Sequence, residues 1–433
     1  MPDSPYVPQD QLSLWMLADP GHPVPVGELS LALSGQGVAL RYGSRWLREG
    51  FALSEDLPLA DDLFLPAKKE EAAGAVDDAR PDRWGERVIR KFERSPRMSL
   101  LEYLLFAGAD RYGALGVSRR PDTYEPWASS PIPTLGDLPA MQEVIRKVIA
   151  NEAVGELEQR LLRPGVALGG ARPKSLVEID GQLWLVKFSE GEDEDTPLIE
   201  HATMTLAAKC AIEVAQTRAL PVGRRHAVAV RRFDREAGCR LHAISAHVAL
   251  RAVGEDYGYP QLAQQLRRLA RSSGIPAQQA QLFRRMVFNI LMDNTDDHEK
   301  NHGLLRQADG SWALSPAFDV VSSMSGIGYQ AFRVGSDGAD STLDNALSEV
   351  RSFGLKLPAA KVIVQEVAQV VDGWRNHFEN CGVGQSDLEI LGQYLDSDRL
   401  GSQRRVHVGA PVTVPVAQQN RRPKLPPEDP PRG

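Results

Sequence analysis

The 433-residue sequence predicts an α+β fold of two lobes, a mixed region containing sheet followed by an all-helical C-lobe. Two patterns carry this. Runs such as Leu29-Ser30-Leu31-Ala32-Leu33 and Val38-Ala39-Leu40-Arg41-Tyr42 alternate with the period of a strand, and strand-like runs again dominate residues 163–243. Beyond residue 262 the apolar spacing becomes helical, as at Lys361, Val364, Val367 and Ala368. The chain is long enough for two domains with large cores.

In order, residues 12–42 read as a small sheet and 82–106 as helices with Arg97 in a turn. Several prolines between 121 and 139 mark a connector. One helix is predicted over 141–162, then strands, a helical segment over 198–209, and helices at 262–291 and 361–395. The end of the chain is rich in Pro, Arg and Gln, and cannot bury enough apolar surface to offset its ordering entropy. The expected units are an N-terminal domain over 12–120, a connector over 121–140, an N-lobe over 141–245, a helical C-lobe over 246–398 and a disordered tail over 399–433. A partner-docking motif is the alternative for that tail.

The most informative stretch is 294–303, Asn-Thr-Asp-Asp-His-Glu-Lys-Asn-His-Gly, which follows an apolar helical run. Asp296 precedes Asn301 by five residues, and Phe318-Asp319 ends a short apolar piece downstream. That spacing is the one phosphoryl transfer uses: the first Asp orients the attacking hydroxyl, while the Asn and second Asp hold Mg²⁺. Such oxygen ligands suit a hard cation that keeps some of its water. Standing alone, the segment is better read as an Asx-rich turn between helices. Lys300 and the missing terminal Glu exclude an EF-hand loop, and His298 with His302 lacks partners for a zinc site.

Upstream, Gly169-Gly170-Ala171-Arg172-Pro173-Lys174 is a glycine-containing turn entering a strand, able to bring backbone N–H groups and a lysine to phosphate oxygens. Lys187 lies in the apolar strand Leu183-Trp184-Leu185-Val186-Lys187-Phe188, and Glu200 on the following helix is its candidate ion-pair partner. By itself a strand lysine is usually a solubility device. Arg231-Arg232-Phe233 ends a strand where a hinge between lobes would fall. Each signal is modest; their order along the chain is that of a kinase.

Taken together, Gly169 to Lys174, Val186-Lys187, Arg232-Phe233-Asp234-Arg235, Thr295-Asp296-Asp297-His298-Glu299-Lys300-Asn301 and Leu314-Ser315-Pro316-Ala317-Phe318-Asp319 resemble the HipA family of bacterial serine/threonine kinase toxins. Pro81-Asp82-Arg83-Trp84-Gly85 and the run Ala107 to Gly116 resemble its separate N-terminal domain. The resemblance implies a kinase-like fold and ATP and Mg²⁺ as cofactors. It implies Asp296 as the catalytic, base-like residue and Asn301 and Asp319 as metal ligands. The nucleotide would meet Gly169, Gly170, Ala171, Arg172, Pro173, Lys174, Lys187, Arg231, Arg232, Phe233, His298, Glu299, Lys300, Asn301, Phe318 and Asp319. His298 has an equal alternative, holding its loop by a side-chain bond. Some members autophosphorylate a serine before the glycine-rich turn; Ala167 stands at that place here, and Ser175, just after Lys174, is the alternative acceptor, with the opening of a strand as its plain role.

The family implies a HipB-like helix-turn-helix antitoxin, operator DNA reached mainly through it, and a protein substrate in translation such as an aminoacyl-tRNA synthetase. A catalytically quiet co-regulator and a small-molecule kinase are the competing readings. The formal charge of −7 argues against strong DNA binding by this chain alone. No run approaches the ~20 apolar residues of a membrane span, and neither signal peptide nor membrane partner is expected. Three unpatterned cysteines fit a reducing cytoplasm.

Overall fold

The computed structural model describes residues 6–128, 131–165 and 170–408. The N-terminal domain is built on an antiparallel sheet of β1 (Gln11–Met16), β2 (Val24–Ala32), β3 (Gly37–Tyr42), β4 (Leu63–Phe64) and β5 (Leu115–Ser118), in the order β4-β3-β2-β1-β5. Leu12 faces Leu29, which faces Leu40, so one buried row crosses three strands. Around the sheet lie α1 (Ser44–Glu49), α2 (Arg83–Phe92) and α3 (Leu100–Phe106). Asp82 caps α2, and Ser99 with Glu102 forms a capping box on α3.

The predicted helix over 141–162 is two pieces, α4 (Leu138–Ile149) and α5 (Glu156–Gln159). Pro139 suits the first turn of α4, where its missing N–H costs nothing. Asn151, at φ +58°, turns the chain left-handed and ends it. The N-lobe sheet contains β6 (Lys174–Ile179), β7 (Gln182–Lys187), β8 (Thr217–Val222) and β9 (Arg225–Arg231), ordered β6-β7-β9-β8 and antiparallel throughout. Alternation divides its two faces. Leu176, Leu185, Val228 and Val230 join the main core with α6 (Thr196–Lys209). Val177, Trp184, Val186, Ala227 and Ala229 pack instead with Val144, Ile145 and Val148 of α4.

A two-residue pair, β10 (Arg235–Glu236) and β11 (Cys239–Arg240), leads to the C-lobe. Its helices are α7 (Ala246–Arg251), α8 (Tyr259–Leu269), α9 (Ile275–Leu291), α10 (Leu343–Ser348), α11 (Leu357–Asp372), α12 (Trp374–Asn380), α13 (Gln385–Leu395) and α14 (Asp398–Val408). The expectation of an all-helical lobe needs correcting. A sheet of β12 (Ala243–Ser245), β13 (Gly303–Arg306) and β14 (Trp312–Leu314) sits inside it, bracketing the Asp296 loop. Three short strands with mixed burial carry too little alternation to stand out in sequence. The chain is still helical at residue 399, the expected start of the tail. α14 docks through buried Leu400 and through Arg404, whose guanidinium reaches Asp396 at 2.7 Å. Residues 409–433 lie outside the described residues. Among the described residues no helix is long and apolar enough to cross a membrane, and Cys210, Cys239 and Cys381 are free.

The N-terminal domain is locked to the lobes by buried polar groups. Asp234 accepts from Arg232 Nη2 at 2.6 Å, from Arg235 Nη1 at 2.9 Å and from the Gly113 N–H at 2.8 Å. Arg232 also donates to the carbonyls of Asp110 and Arg111, at 3.1 and 3.0 Å. Burial raises the cost of the Asp234 carboxylate, yet the two arginines hold its pKa far below the ordinary range.

His242 adds a pH-dependent element at the same junction. Its Nε2–H donates to the Leu53 carbonyl at 2.8 Å, and burial lowers its pKa from 6.5 to about 4. Between those values the unfolded chain binds the extra proton, so stability is fully present above pH 6.5 and falls as pH drops towards 4. The expected loss is about 3 kcal/mol, read from urea midpoints across that range. His242→Gln keeps a donor for Leu53 and should flatten the profile; an unchanged slope would assign the effect elsewhere.

Candidate active site

Strand β7 delivers Lys187 to the cleft because its period of two turns Val186 into one core and Lys187 towards α6. The ammonium is buried and pairs with Glu200 of α6 at 2.6 Å and with Asp319. Burial alone would lower its pKa; the two carboxylates reverse that and raise it. Burial likewise would raise the Asp319 carboxyl, but Lys187 and the more distant Lys174 and Arg172 bring it down to about 2. One lysine between two carboxylates leaves the cluster negative, as a cation site requires.

The Asp296 loop follows α9, whose last turns are buried at Met286, Val287, Phe288, Ile290 and Leu291. Asp296 is exposed, and its N–H donates to Ser323 Oγ at 3.2 Å. Asn301 Nδ2 donates back to the Asp296 carbonyl at 3.4 Å, which leaves Asn301 Oδ1 buried without a hydrogen-bond partner. An orphaned buried amide oxygen is costly unless something such as a cation completes it. Asn301 Oδ1 and Asp319 therefore fit Mg²⁺, which takes one or two protein oxygens and completes its shell with water and phosphate. Among the described residues no cluster of three or more His, Cys, Asp or Glu offers an alternative metal site.

The remaining expected residues divide by position. Gly170 takes φ +46° with open space where a Cβ would sit, Ala171 is exposed, Arg172 is half-buried and Pro173 is buried. Gly169, and Ala167 before it, lie outside the described residues. Lys174 is buried and paired with Asp82 of the N-terminal domain. Arg231 is exposed and bonds Gln182 at 3.0 Å. The Arg232 guanidinium is committed to Asp234 and the N-terminal domain and its backbone N–H donates to the Leu183 carbonyl at 3.0 Å, so a nucleotide at this strand end would meet its carbonyl. Phe233 lies 5.2 Å from Phe318, ring to ring, joining the strand end to the residue before Asp319. His298 Nδ1 accepts from the Lys300 N–H at 3.2 Å, the loop-holding role. Glu299 turns to His247, at 3.1 Å, and Lys300 is exposed.

Three residues with no role expected from their spacing shape the site. Asp297 accepts from the Tyr259 hydroxyl and from His302 Nε2–H at 2.9 Å, pinning the loop from beneath. Asp293, in left-handed backbone, accepts from the N–H groups of Ser325 and Gly326 at 3.1 and 3.0 Å and from Arg399 at 2.8 Å. Asp82 is the third. The crowding of Asp293, Asp296 and Asp297 was a signal for the first two; nothing in spacing pointed from Asp82 to a lysine 92 residues away.

A strand lysine paired to a helix carboxylate and to Asp319, in a chain that also carries an Asp/Asn loop, is the arrangement expected of a kinase-like site. The fold agrees with the HipA of Shewanella oneidensis, solved with HipB and its operator DNA, at TM-score 0.65 and 19% identity over 92% of this chain and 97% of that one. Residues 22–118 match the HipA N-terminal domain and residues 166–374 the HipA-like C-terminal domain. The chain belongs to the HipA family. Relatives include the serine/threonine-protein kinase toxin HipA of Shewanella oneidensis, 22% identical over 69% of this chain and 72% of that protein. The putative kinase Y4dM of Sinorhizobium fredii is 32% identical over 33% of this chain, a match that spans 38% of its own length.

Proposed function

We propose that this chain transfers the γ-phosphate of ATP, with Mg²⁺, to a serine or threonine of a protein, and acts as the toxin of a pair with a HipB-like helix-turn-helix antitoxin. The observation that carries the reading is Lys187 held between Glu200 and Asp319, with the unpartnered oxygen of Asn301 on the adjoining loop. Lys187 would contact phosphate oxygens, and its pairing with Asp319 keeps its ammonium beside a proposed metal ligand. Asn301 and Asp319 hold Mg²⁺, which when bound neutralises charge developing on the transferred group. Asp296, an exposed carboxylate, orients the incoming hydroxyl and takes up its proton as the oxygen bonds to the γ-phosphorus and the bond from that phosphorus to ADP breaks, ADP being the leaving group. Fixed charges aimed at the phosphoryl group supply most of the rate in such transfers.

The Shewanella relative, solved with HipB and its operator DNA, supports the antitoxin partnership, and operator DNA would be reached mainly through that partner. A translation protein such as an aminoacyl-tRNA synthetase is the proposed target. The test is transfer of labelled γ-phosphate from Mg·ATP into proteins of a cell lysate, beside Asp319→Asn. A band made by wild type alone is expected, with Mg²⁺-dependent ATP binding weakened about tenfold or more in the variant, as for a lost contact to a charged group. Label on metabolites but on no protein would move the assignment to a small-molecule kinase. ATP binding without any transfer would leave a quiet co-regulator.

A further inference from the structure

We propose that Asp82, on the N-terminal domain, is a positioning residue for phosphate binding: its carboxylate fixes Lys174 and, through it, the turn at Gly170. The inference rests on the nucleotide reading above and goes beyond it, because it makes the N-terminal domain part of the kinase site.

The argument begins with register. Lys174 and Lys187 are direct cross-strand partners on β6 and β7, and both are buried. Like charges facing each other across a ladder repel, and a buried ammonium needs a carboxylate of its own. Lys187 has Glu200 and Asp319. The carboxylate for Lys174 comes from outside the lobe, from Asp82.

Asp82 divides its two oxygens. Oδ1 accepts from the Gly85 N–H at 2.9 Å and caps α2, while Oδ2 pairs with Lys174 Nζ. The same ammonium donates to the Gly170 carbonyl at 2.6 Å, so the pair also shapes the glycine turn. Two neighbours of Asp82 hold the backbone there. The Trp84 indole N–H donates to the Lys174 carbonyl at 2.9 Å, and a Cβ at Gly85 would lie 2.1 Å from the Pro164 carbonyl oxygen. Both lysines lie within electrostatic reach of Asp319. Asp82 thus allows two cations to stand side by side at the end of the cleft where a polyphosphate would lie. A tie made only for stability would leave affinity for the nucleotide untouched.

The experiment uses the full chain and Mg·ATP. Asp82→Asn retains an oxygen for the Gly85 cap and removes the charge. The KM for Mg·ATP should rise about tenfold while kcat changes by less than about threefold, the signature of lost binding rather than lost chemistry. Lys174→Met should give the same split, and the double variant should be no worse than Lys174→Met alone. A wild-type KM in Asp82→Asn, or effects that multiply in the double variant, would overturn the proposal. Where Asp82→Asn does not fold, the double variant buries no unpaired charge and carries the test alone: a wild-type KM there overturns it. Wild type that neither binds Mg·ATP nor transfers phosphate would overturn the nucleotide reading as well; active wild type beside an unaltered variant overturns only the role of Asp82.

Discussion

Asp296→Ala is expected to lower phosphate transfer by about 10²–10⁴-fold, the range for removing a positioned proton acceptor, while the protein stays folded. The second half follows from where the loop's own bonds lie. Ser323 holds the Asp296 N–H and Asn301 holds its carbonyl, so the loop is shaped by backbone contacts that alanine keeps. Asp297 and His302 fix the turn from within. The carboxylate of Asp296 is exposed and leaves no buried partner behind. Labelled-phosphate transfer and a thermal melt on one preparation decide the matter. Near-normal transfer would remove Asp296 from the chemistry, and a collapsed melt would make the activity loss uninformative.

Arg232→Ala should cost about 3–5 kcal/mol of stability, the usual consequence of breaking one side of a buried ion pair. Asp234 would keep Arg235 but lose the two bonds from the guanidinium of Arg232, and the carbonyls of Asp110 and Arg111 would lose donors. Against a typical net stability of about 5–15 kcal/mol this is a large fraction. Arg232→Lys should recover little, since an ammonium cannot reproduce the planar fork. Urea unfolding of the three proteins reads it out. A loss under about 1 kcal/mol would mean the domain junction rests on its apolar contacts instead.

The chemistry of the site was more legible than its mounting. Lys187, Glu200, Asp296, Asn301 and Asp319 stand out because phosphoryl transfer restricts both residue type and order along the chain. Glu200 could be matched to Lys187 because strand and helix adjoin. The partners of the Arg232 side chain could not be read: an arginine beside a hinge suits a nucleotide as well as it suits a carboxylate two residues on, and the carbonyls it also meets belong to residues 110 and 111. Asp82 was hidden for the same reason, since its partner is fixed by tertiary contact. The strands of the C-lobe escaped notice because three- and four-residue pieces hold too few turns of their period. Helix α14 escaped because one leucine and a buried arginine, rather than an apolar face, dock it.

The left-handed backbone at Asp319, φ +57°, narrows the ways in which this gene can be silenced. Most side chains are strained in that conformation; glycine, asparagine and aspartate tolerate it. Each of the two tolerated replacements lies one base change from an aspartate codon. On the toxin reading proposed above, the host is under selection for loss of this activity. Lineages escaping through this position should therefore carry Asp319→Asn or Asp319→Gly in a well-folded protein, still able to occupy the proposed antitoxin, rather than a scatter of unfolded variants.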